Sequence, residues 1–225
     1  MIEVKDLRYT YPDNNKALNG ISFSVDAGEK VALVGANGSG KSTLLLHLAE
    51  VIKPQHGTIS TAKTGLIFQD ADDQILMPSV IEDVAFSLVA NGVKVSQAHE
   101  RAINMLESLG IAHLANRVPH KLSGGEKRMV SLAGVLITDP DILLLDEPTA
   151  NLDPRARRRV INFLQQSNKT IILATHDLDM ALDICSRALI MNNGVISCEG
   201  RLPEIFTNWE ILEANRLELP MRFAK

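Results

Sequence analysis

Apolar and polar residues alternate near the start of the chain. Ile21, Phe23 and Val25 stand at every second position, as do Ile2 and Val4 before them. This period of two is typical of strands with one buried face. Turn-forming residues at 12–14 separate the two runs, so the pattern predicts an N-terminal antiparallel β-subdomain.

Continuous apolar runs alternate with helical patterns in the rest of the chain. The segments 30–35 (KVALVG), 141–146 (DILLLD) and 170–174 (TIILA) each predict a buried strand, and each precedes an apolar-faced helical pattern. Alternating strands and helices favour a largely parallel sheet covered on both faces. The first helical pattern runs through Val51 until Pro54 ends it. Asn192-Asn193-Gly194 predicts a hairpin turn.

A longer helical stretch interrupts this alternation. From about Val80 to Ala133 the apolar residues recur at helical spacing, with Gly110 as a stop signal. We therefore expect one α/β domain over 1–225, with its core formed by 1–78 and 134–225 and a helical lobe inserted at 79–133.

Composition narrows the classes of protein. With 23 Lys and Arg against 27 Asp and Glu, the formal net charge is −4; this offers no basic footprint for nucleic acid, and we expect no nucleic-acid partner. The hydrophobic content of 45% excludes a wholly disordered chain. We expect neither a membrane span nor a signal peptide, because no apolar run is long enough and the first residues are acidic and alternating. The two cysteines fit a reducing compartment.

A phosphate-binding loop lies between the strand at 30–35 and the helix after it. The segment GANGSGKS matches G-x-x-x-x-G-K-[ST] at every fixed position. Its backbone N–H groups would converge on phosphate oxygens, Lys41 would reach the β- and γ-phosphates, and the Ser42 hydroxyl would bind Mg²⁺. The alternative is a flexible Gly/Ser turn. The candidate ATP-binding residues in this loop are Gly35, Ala36, Asn37, Gly38, Ser39, Gly40, Lys41, Ser42 and Thr43.

Two carboxylates follow the buried strand at 141–146. Asp146 and Glu147 would stand at the carboxyl edge of the sheet, where open α/β folds bind ligands. Asp146 would hold Mg²⁺, and Glu147 would polarise or deprotonate the attacking water. The alternative is a strand end capped by solvated acids.

A second glycine-rich segment opens another helix. In Leu122-Ser123-Gly124-Gly125-Glu126, Ser123 and Glu126 form the S-x-x-E capping-box pattern. Two glycines in a first turn are costly for a helix, at about 1 kcal/mol each relative to alanine. The residues alone leave open whether this is a well-capped helix or a second phosphate clamp that uses exposed N–H groups.

These segments together resemble the ATP-binding-cassette (ABC) ATPases, in family order over nearly the whole chain. LSGGE is similar to the signature motif, ILLLDE to Walker B, and ATHD to the switch-histidine segment. The resemblance implies a P-loop ABC fold that binds ATP and Mg²⁺. It also implies a head-to-tail dimer with a second ABC ATPase chain, identical or paralogous. The signature loop of one chain (Ser123, Gly124, Gly125) would then close on the γ-phosphate held by the other.

The resemblance also implies roles for three further residues. Gln69, in the family's Q-loop, would contact Mg²⁺ and the attacking water; His176 would contact the γ-phosphate; and Asp153, in the D-loop, would contact the neighbouring subunit. Considered separately, a lone histidine after a strand is more often structural, and a lone glutamine in a loop carries no signal.

Tyr11 resembles the family's adenine-stacking aromatic residue, with Tyr9 as its competitor. A tyrosine face offers an apolar platform for a purine. The alternative is a strand aromatic that packs on the core.

The segment 68–74 (FQDADDQ), which we call the Q-loop, resembles that of energy-coupling-factor and cobalt or nickel uptake ATPases. The tail at 212–220 is similar to the same group. The sequence departs from the group's pattern at Asp70-Ala71 and Ser87-Leu88, and it ends soon after 220, as in the shorter metal-uptake type.

Five acidic residues lie in and after the Q-loop. Crowded carboxylates repel one another, and a partner's arginines would relieve that repulsion. The resemblance supplies a transmembrane scaffold as this partner, and the alternative is a solvated acidic face. The residues of this acidic cluster are Asp70, Asp72, Asp73, Glu82 and Asp83.

The resemblance implies an ATP-hydrolysing subunit of an importer, peripheral at the cytoplasmic face of the membrane, with a scaffold and a substrate-binding membrane subunit as partners. The transported substrate would be cobalt, nickel, biotin or another vitamin. The alternatives are a soluble ABC ATPase that is not coupled to transport, and a regulatory module without turnover.

Overall fold

The computed structural model describes residues 1–223. They fall into two compact units. The first, which we call the sheet unit, comprises Met1–Leu66, Asp141–Glu147 and the chain from Phe163 onward. The second, the helical unit, comprises Ile67–Pro140 and Pro148–Asn162. The predicted lobe at 79–133 lies entirely within the helical unit, which extends beyond it on both sides.

The order of elements follows the predicted alternation. The strands are β1 (Ile2–Thr10), β2 (Lys16–Val25), β3 (Lys30–Val34), β4 (His56–Thr61), β5 (Thr64–Ile67), β6 (Ile142–Asp146), β7 (Thr170–Ala174), β8 (Arg187–Asn192) and β9 (Val195–Arg201). The helices are α1 (Lys41–Leu48), α2 (Val80–Ala90), α3 (Val95–Ser108), α4 (Gly124–Leu136), α5 (Pro154–Gln166), α6 (Leu178–Ile184), α7 (Leu202–Phe206) and α8 (Trp209–Ala214).

The strands form two sheets. A three-stranded antiparallel sheet has the order β2-β1-β4, which confirms the predicted N-terminal subdomain. The six-stranded sheet has the order β5-β6-β7-β3-β8-β9, with β3 parallel to both β7 and β8. Strand β9 returns antiparallel to β8 through the predicted hairpin, where Asn193 and Gly194 have φ of 48° and 77°. Positive φ at both central residues is the type I′ geometry that Asn-Gly favours.

Strand β3 shows why the central strands are continuously apolar. Val31 and Leu33 belong to a core cluster shared with β1, β2 and α1. Ala32 and Val34 belong to another cluster, which includes residues of α6 and α7. Successive side chains of a strand point to opposite faces. When both faces are covered, every position is buried, and apolar residues occupy all of them.

Helix α1 is shorter than predicted. It ends at Leu48, and Val51, expected on its apolar face, lies outside it and is 62% exposed. Glu50 adopts φ of 59°, its N–H donates to His47 O, and the N–H of Val51 donates to Leu46 O. These are the two bonds of a Schellman cap, formed here with glutamate where glycine is usual. The sequence therefore held no glycine signal for this stop.

The helical unit packs its core around α4. The middle of this helix is buried without interruption from Arg128 to Ala133. Helices α2 and α3 contribute narrower apolar stripes, such as Val84 with Leu88 and Ala102 with Leu106. Among residues 1–223, no helix is long and apolar enough to cross a membrane.

Candidate functional site: a phosphate loop and a carboxylate–histidine pair

The phosphate-binding loop connects β3 to α1 as predicted. A Cβ on Gly35 would lie 2.2 Å from Met191 O, and one on Gly40 would lie 2.5 Å from Ala17 O. Both glycines also have positive φ, 154° and 106°. These two positions therefore require glycine for close backbone packing as well as for conformation.

Lys41 lies folded into the loop. Its Nζ donates to Gly35 O at 2.7 Å and to Ala36 O at 3.1 Å. Burial lowers the pKa of the Lys41 ammonium, and the nearby charges of Glu147 and Asp146 oppose that shift. An ammonium held by two neutral carbonyls in a partly desolvated loop is suited to receive a phosphate anion.

Ser39 supplies an independent sign of an oxyanion ligand. Its Oγ is buried and has no hydrogen-bond partner among the described residues. Buried hydroxyls are nearly always paired, so an orphan in a phosphate loop calls for a bound group. The residues present therefore fit the phosphates of ATP.

Ser42 and Thr43 differ in exposure. Ser42 is exposed in the first turn of α1, whereas Thr43 is buried. The hydroxyls of Thr43 and Tyr11 are hydrogen-bonded at 3.1 Å. The Tyr9 ring makes edge-to-face contacts with the rings of Tyr11 and His47, with centroids 5.0 and 4.7 Å away. The structure thus places Tyr11 beside the phosphate loop and packs Tyr9 against the core.

Glu147 and His176 are brought together by the register of two parallel strands. Asp146 of β6 pairs with Ala174 of β7, so Glu147 emerges beside the residues that follow Ala174. The Oε1 of Glu147 lies 2.7 Å from His176 Nδ1 and accepts from the His176 N–H at 2.8 Å. The Glu147 side chain is 11% exposed and that of His176 is 71% exposed. The buried carboxylate is therefore fixed while the imidazole reaches solvent.

Sequence reasoning missed one member of this arrangement. The Thr175 hydroxyl, fully buried, donates to Glu147 Oε2 at 2.9 Å. Both carboxylate oxygens thus accept hydrogen bonds. The available signal was the position of Thr175, directly after β7 and opposite Glu147.

Of the two alternatives that the sequence left open for the glycine-rich segment at 123–126, the structure shows the well-capped helix. The capping box forms: the Glu126 N–H donates to Ser123 Oγ, and the Ser123 N–H donates to Glu126 Oε2. A Cβ on Gly125, however, would lie 2.4 Å from Ala156 Cβ, whereas one on Gly124 would meet nothing closer than 3.8 Å. Close packing on Ala156 is therefore sufficient reason for Gly125. The cost of glycine in this turn is therefore no evidence for the clamp at position 125, and the clamp itself stays a prediction.

Within the helical unit, the glycine-rich segment and the D-loop residue Asp153 line the same cleft. A cleft of about 250 Å³ is lined by Ser123 and Gly125 and also by Asp153, Arg155 and Arg159. Asp153 Oδ1 accepts from the N–H groups of Arg155 and Ala156, which fixes the start of α5. Arg155 and Arg159 of α5 thus border the cleft.

The acidic cluster is more compensated than its sequence indicates. Lys127 Nζ contacts the two carboxylate oxygens of Asp72 at 2.6 and 2.8 Å. Asp83 accepts from the N–H groups of Leu76 and Met77, and burial raises the pKa of its carboxyl. Glu82 accepts from the Ser79 hydroxyl. The charge of Asp72 is therefore already compensated within the chain, so repulsion gives no reason for a partner to bind at this residue.

Comparison with known proteins agrees with this geometry. The ABC transporter family profile matches residues 18–150. An ABC transporter ATP-binding protein by name, from Geobacter sulfurreducens, is 44% identical over 98% of this chain and 94% of its own length. The energy-coupling factor transporter ATP-binding protein EcfA of Methanothermobacter thermautotrophicus is 39% identical over 98% of this chain and 77% of its own length.

Solved structures show the same fold. CbiO1 from Clostridium perfringens, part of the ABC transporter complex cbiONQ, matches with a TM-score of 0.81 and 34% identity, covering 95% of this chain and 93% of that one. A dimeric ATP-binding cassette bound to ADP and Pi matches with a TM-score of 0.80 and 27% identity, covering 90% and 99%.

The phosphate loop on a parallel sheet, with a fixed carboxylate at the sheet edge, defines a P-loop nucleoside triphosphatase. The matching profile and full-length relatives go further: the chain belongs to the ABC transporter family, as an ATP-binding subunit whose hydrolysis of ATP is coupled to transport.

Proposed function

We propose that this chain is the ATP-hydrolysing subunit of an energy-coupling-factor importer that takes up cobalt, nickel or a vitamin across the cytoplasmic membrane. The observation that carries the proposal is the match to EcfA over 98% of this chain. The likeness to CbiO1, which is part of an ABC transporter complex, supports the same group.

In the proposed mechanism, Glu147 acts on the attacking water. Its carboxylate is held at both oxygens, by Thr175 on one side and by His176 on the other. A general base has to be positioned before its basicity matters, and these bonds position it. His176, exposed beside it, extends toward solvent and is proposed to contact the γ-phosphate.

Ser42 and Asp146 are proposed to hold Mg²⁺ beside the phosphates. A hydroxyl and a carboxylate oxygen are ligands that this hard cation prefers, so the donor set fits. When bound, Mg²⁺ would neutralise developing charge on the β- and γ-oxygens. The role of Gln69 toward Mg²⁺ and the attacking water stays a prediction.

The signature loop is proposed to act on a second chain. Ser123, Gly124 and Gly125 would close on the γ-phosphate held by the partner's phosphate loop, and Asp153 would contact that partner. Ser123, Gly125 and Asp153 line one cleft of the helical unit, which supports a common role. Whether the second chain is identical or paralogous is decided by which chains co-purify.

The membrane partners are proposed to be a transmembrane scaffold and a substrate-binding subunit. The scaffold would dock on the acidic cluster, with this chain peripheral at the cytoplasmic face. Exposed apolar side chains, Leu76 and Phe86, lie beside the acids and would add buried area on docking.

The test is to purify the tagged full-length chain from membranes of its own organism and to identify the accompanying chains by mass. We expect a membrane-embedded scaffold and a second membrane subunit. Deleting the gene should then abolish uptake of one radiolabelled substrate among cobalt, nickel and biotin. Isolation of the chain without any membrane subunit would contradict the importer proposal and favour the uncoupled ATPase.

A further inference from the structure

Helix α4 presents two consecutive cations to the Q-loop. Arg128 donates through Nη1 to Phe68 O at 2.6 Å and through Nη2 to Gln69 O at 2.5 Å. Lys127 contacts Asp72 with both carboxylate oxygens in reach. The helix therefore holds the loop at two points, at its first peptides and at its middle.

Arg128 is not a surface arginine. Only 2% of it is exposed. A guanidinium taken out of water must recover its lost hydration through hydrogen bonds, and the carbonyls at 68 and 69 supply two of them. Separating helix and loop here would therefore take two hydrogen bonds away from a buried charge.

The two carbonyls flank Gln69. The oxygen of Phe68 belongs to the peptide before it, and the oxygen of Gln69 belongs to the peptide after it. A planar guanidinium with fixed donor directions orients both peptide planes at once. Those planes set the direction in which the exposed Gln69 side chain leaves the backbone.

The same helix carries the signature loop on its first turn. Arg128 lies one helical turn beyond Gly124, about 6 Å along the axis at 1.5 Å per residue. Ser123 and Glu126 cap this turn, and Gly125 packs closely on Ala156. A short stiff segment thus bears the signature glycines at one end and the Q-loop clamp just beyond.

We propose that Arg128 is a positioning residue for Gln69, and that with Lys127 it makes the start of α4 and the Q-loop move as one piece. When nucleotide engages the signature loop, Gln69 is placed in the same movement. This rests on the proposed role of Gln69 in hydrolysis, but it does not depend on the importer assignment.

A double-mutant cycle on the full-length chain tests the proposal. The variants are Gln69→Ala, Arg128→Met and the two combined, with Arg128→Lys as the conservative variant. Arg101→Met is the matched control, because Arg101 is an exposed arginine that donates to the carbonyl of Ile137 at only 3.5 Å. The readouts are kcat and KM for ATP, with thermal unfolding as a check on folding.

A positioning role gives a defined pattern. Gln69→Ala and Arg128→Met should each lower kcat on the order of tenfold to a hundredfold with little change in KM. The combined variant should be no slower than Gln69→Ala alone. If Arg128 acts only by positioning the Gln69 side chain, removing Arg128 has no further effect once that side chain is gone. Arg128→Lys keeps the charge but has a single donor nitrogen, so its kcat should fall between those of Arg128→Met and the parent. Arg101→Met should match the parent.

Effects that multiply in the combined variant would overturn the proposal, since they would give Arg128 a role independent of Gln69. If Arg128→Met does not fold, the same cycle with Arg128→Lys decides in the same way. A Gln69→Ala chain with parental kcat would contradict the role of Gln69 itself, a result distinct from failure of the clamp and from failure of the importer assignment.

Discussion

The carboxylate of Glu147 is hydrogen-bonded to the backbone and the ring of His176, with Oε1 2.8 Å from the N–H and 2.7 Å from Nδ1. The Oε1 atom of Glu147 thus holds both the backbone directly after β7 and the Nδ1 atom of the exposed His176 ring. The pair follows from the parallel register of β6 and β7 rather than from any local motif.

Glu147→Gln is expected to abolish hydrolysis while it retains ATP. An amide keeps the shape and one acceptor but is no base, so we expect kcat to fall by at least about 10²-fold, the usual contribution of a general base. Turnover and nucleotide binding would be measured on the same preparation, and the closed dimer would be followed by size-exclusion chromatography with ATP. Glu107→Gln, on the exposed face of α3, is the control. Parental turnover in Glu147→Gln would refute the assignment of the base.

Thr175→Val should weaken catalysis by loosening Glu147. The substitution keeps the branched shape but removes the buried hydroxyl donor to Oε2. Hydrogen bonds to charged groups contribute about 1.5–3 kcal/mol, so stability should fall by about that amount and kcat should fall with it. Thr175→Ser retains the hydroxyl and should recover most of both. Denaturant unfolding and steady-state kinetics would show this; equal behaviour of the Val and Ser variants would argue against the positioning bond.

Gly125→Ala is expected to destabilise the helical unit. The added Cβ would lie 2.4 Å from Ala156 Cβ, and overpacking of this kind costs about 1–3 kcal/mol. Combining it with Ala156→Gly removes the clash and should restore much of the loss. Gly124→Ala, with 3.8 Å to its nearest neighbour, should change stability by less than about 1 kcal/mol. Urea unfolding of the four chains measures the set, and a Gly125→Ala chain as stable as Gly124→Ala would contradict the packing argument.

His47 should make the protein acid-sensitive. Its Nδ1 lies 2.7 Å from Thr43 O, its Nε2 is buried without a partner among the described residues, and burial lowers its pKa below the ordinary 6.5. Below pH 6.5 the unfolded state binds a proton that the folded state refuses, so stability falls as the pH drops toward the folded pKa.

The measurement is urea unfolding between pH 7.5 and 5. His47→Asn keeps a donor for Thr43 O and should lose part of the acid slope, whereas His56→Asn, at an exposed position of β4, should retain it. An unchanged slope in His47→Asn would assign the acid sensitivity to other groups.

Asp72 and Lys127 allow two roles of the acidic cluster to be separated. If the scaffold's arginines need an acid at position 72, then Asp72→Lys combined with Lys127→Asp should weaken co-purification. If the pair only holds the Q-loop, the exchanged pair should co-purify with the scaffold as the parent does. Because Lys127 already binds Asp72, we expect the exchange to co-purify nearly as well as the parent, with Asp73→Asn as the more damaging variant.

Much of the fold was predictable because its signals are local. The apolar runs of β3, β6 and β7, the Asn-Gly hairpin and the phosphate loop are each written in a few consecutive residues. The end of α1 was not predictable, because glutamate at position 50 adopts a conformation that usually signals glycine.

The candidate site was predictable in its chemistry and less so in its supports. Glu147 and His176 were each named as candidates from the sequence, and their hydrogen-bonded contact emerged only from the structure. Lys127 and Arg128 carried no signal, because their importance depends on which loop lies opposite, and Thr175 had no signal beyond its position directly after β7. The close packing of Gly125 on the methyl group of Ala156 also carried no signal, because it joins segments far apart in the chain.

Strand β3 has a consequence for the order of events during synthesis. Its two hydrogen-bonded neighbours, β7 and β8, lie in the last quarter of the chain, and Gly35 packs against the carbonyl of Met191. The phosphate loop is synthesised early, but the strands and the Met191 carbonyl that pack around it are available only after Met191 has emerged from the exit tunnel. Nucleotide therefore cannot help the first part of the nascent chain to fold, and chains that terminate early leave β3 with an exposed apolar edge open to aggregation.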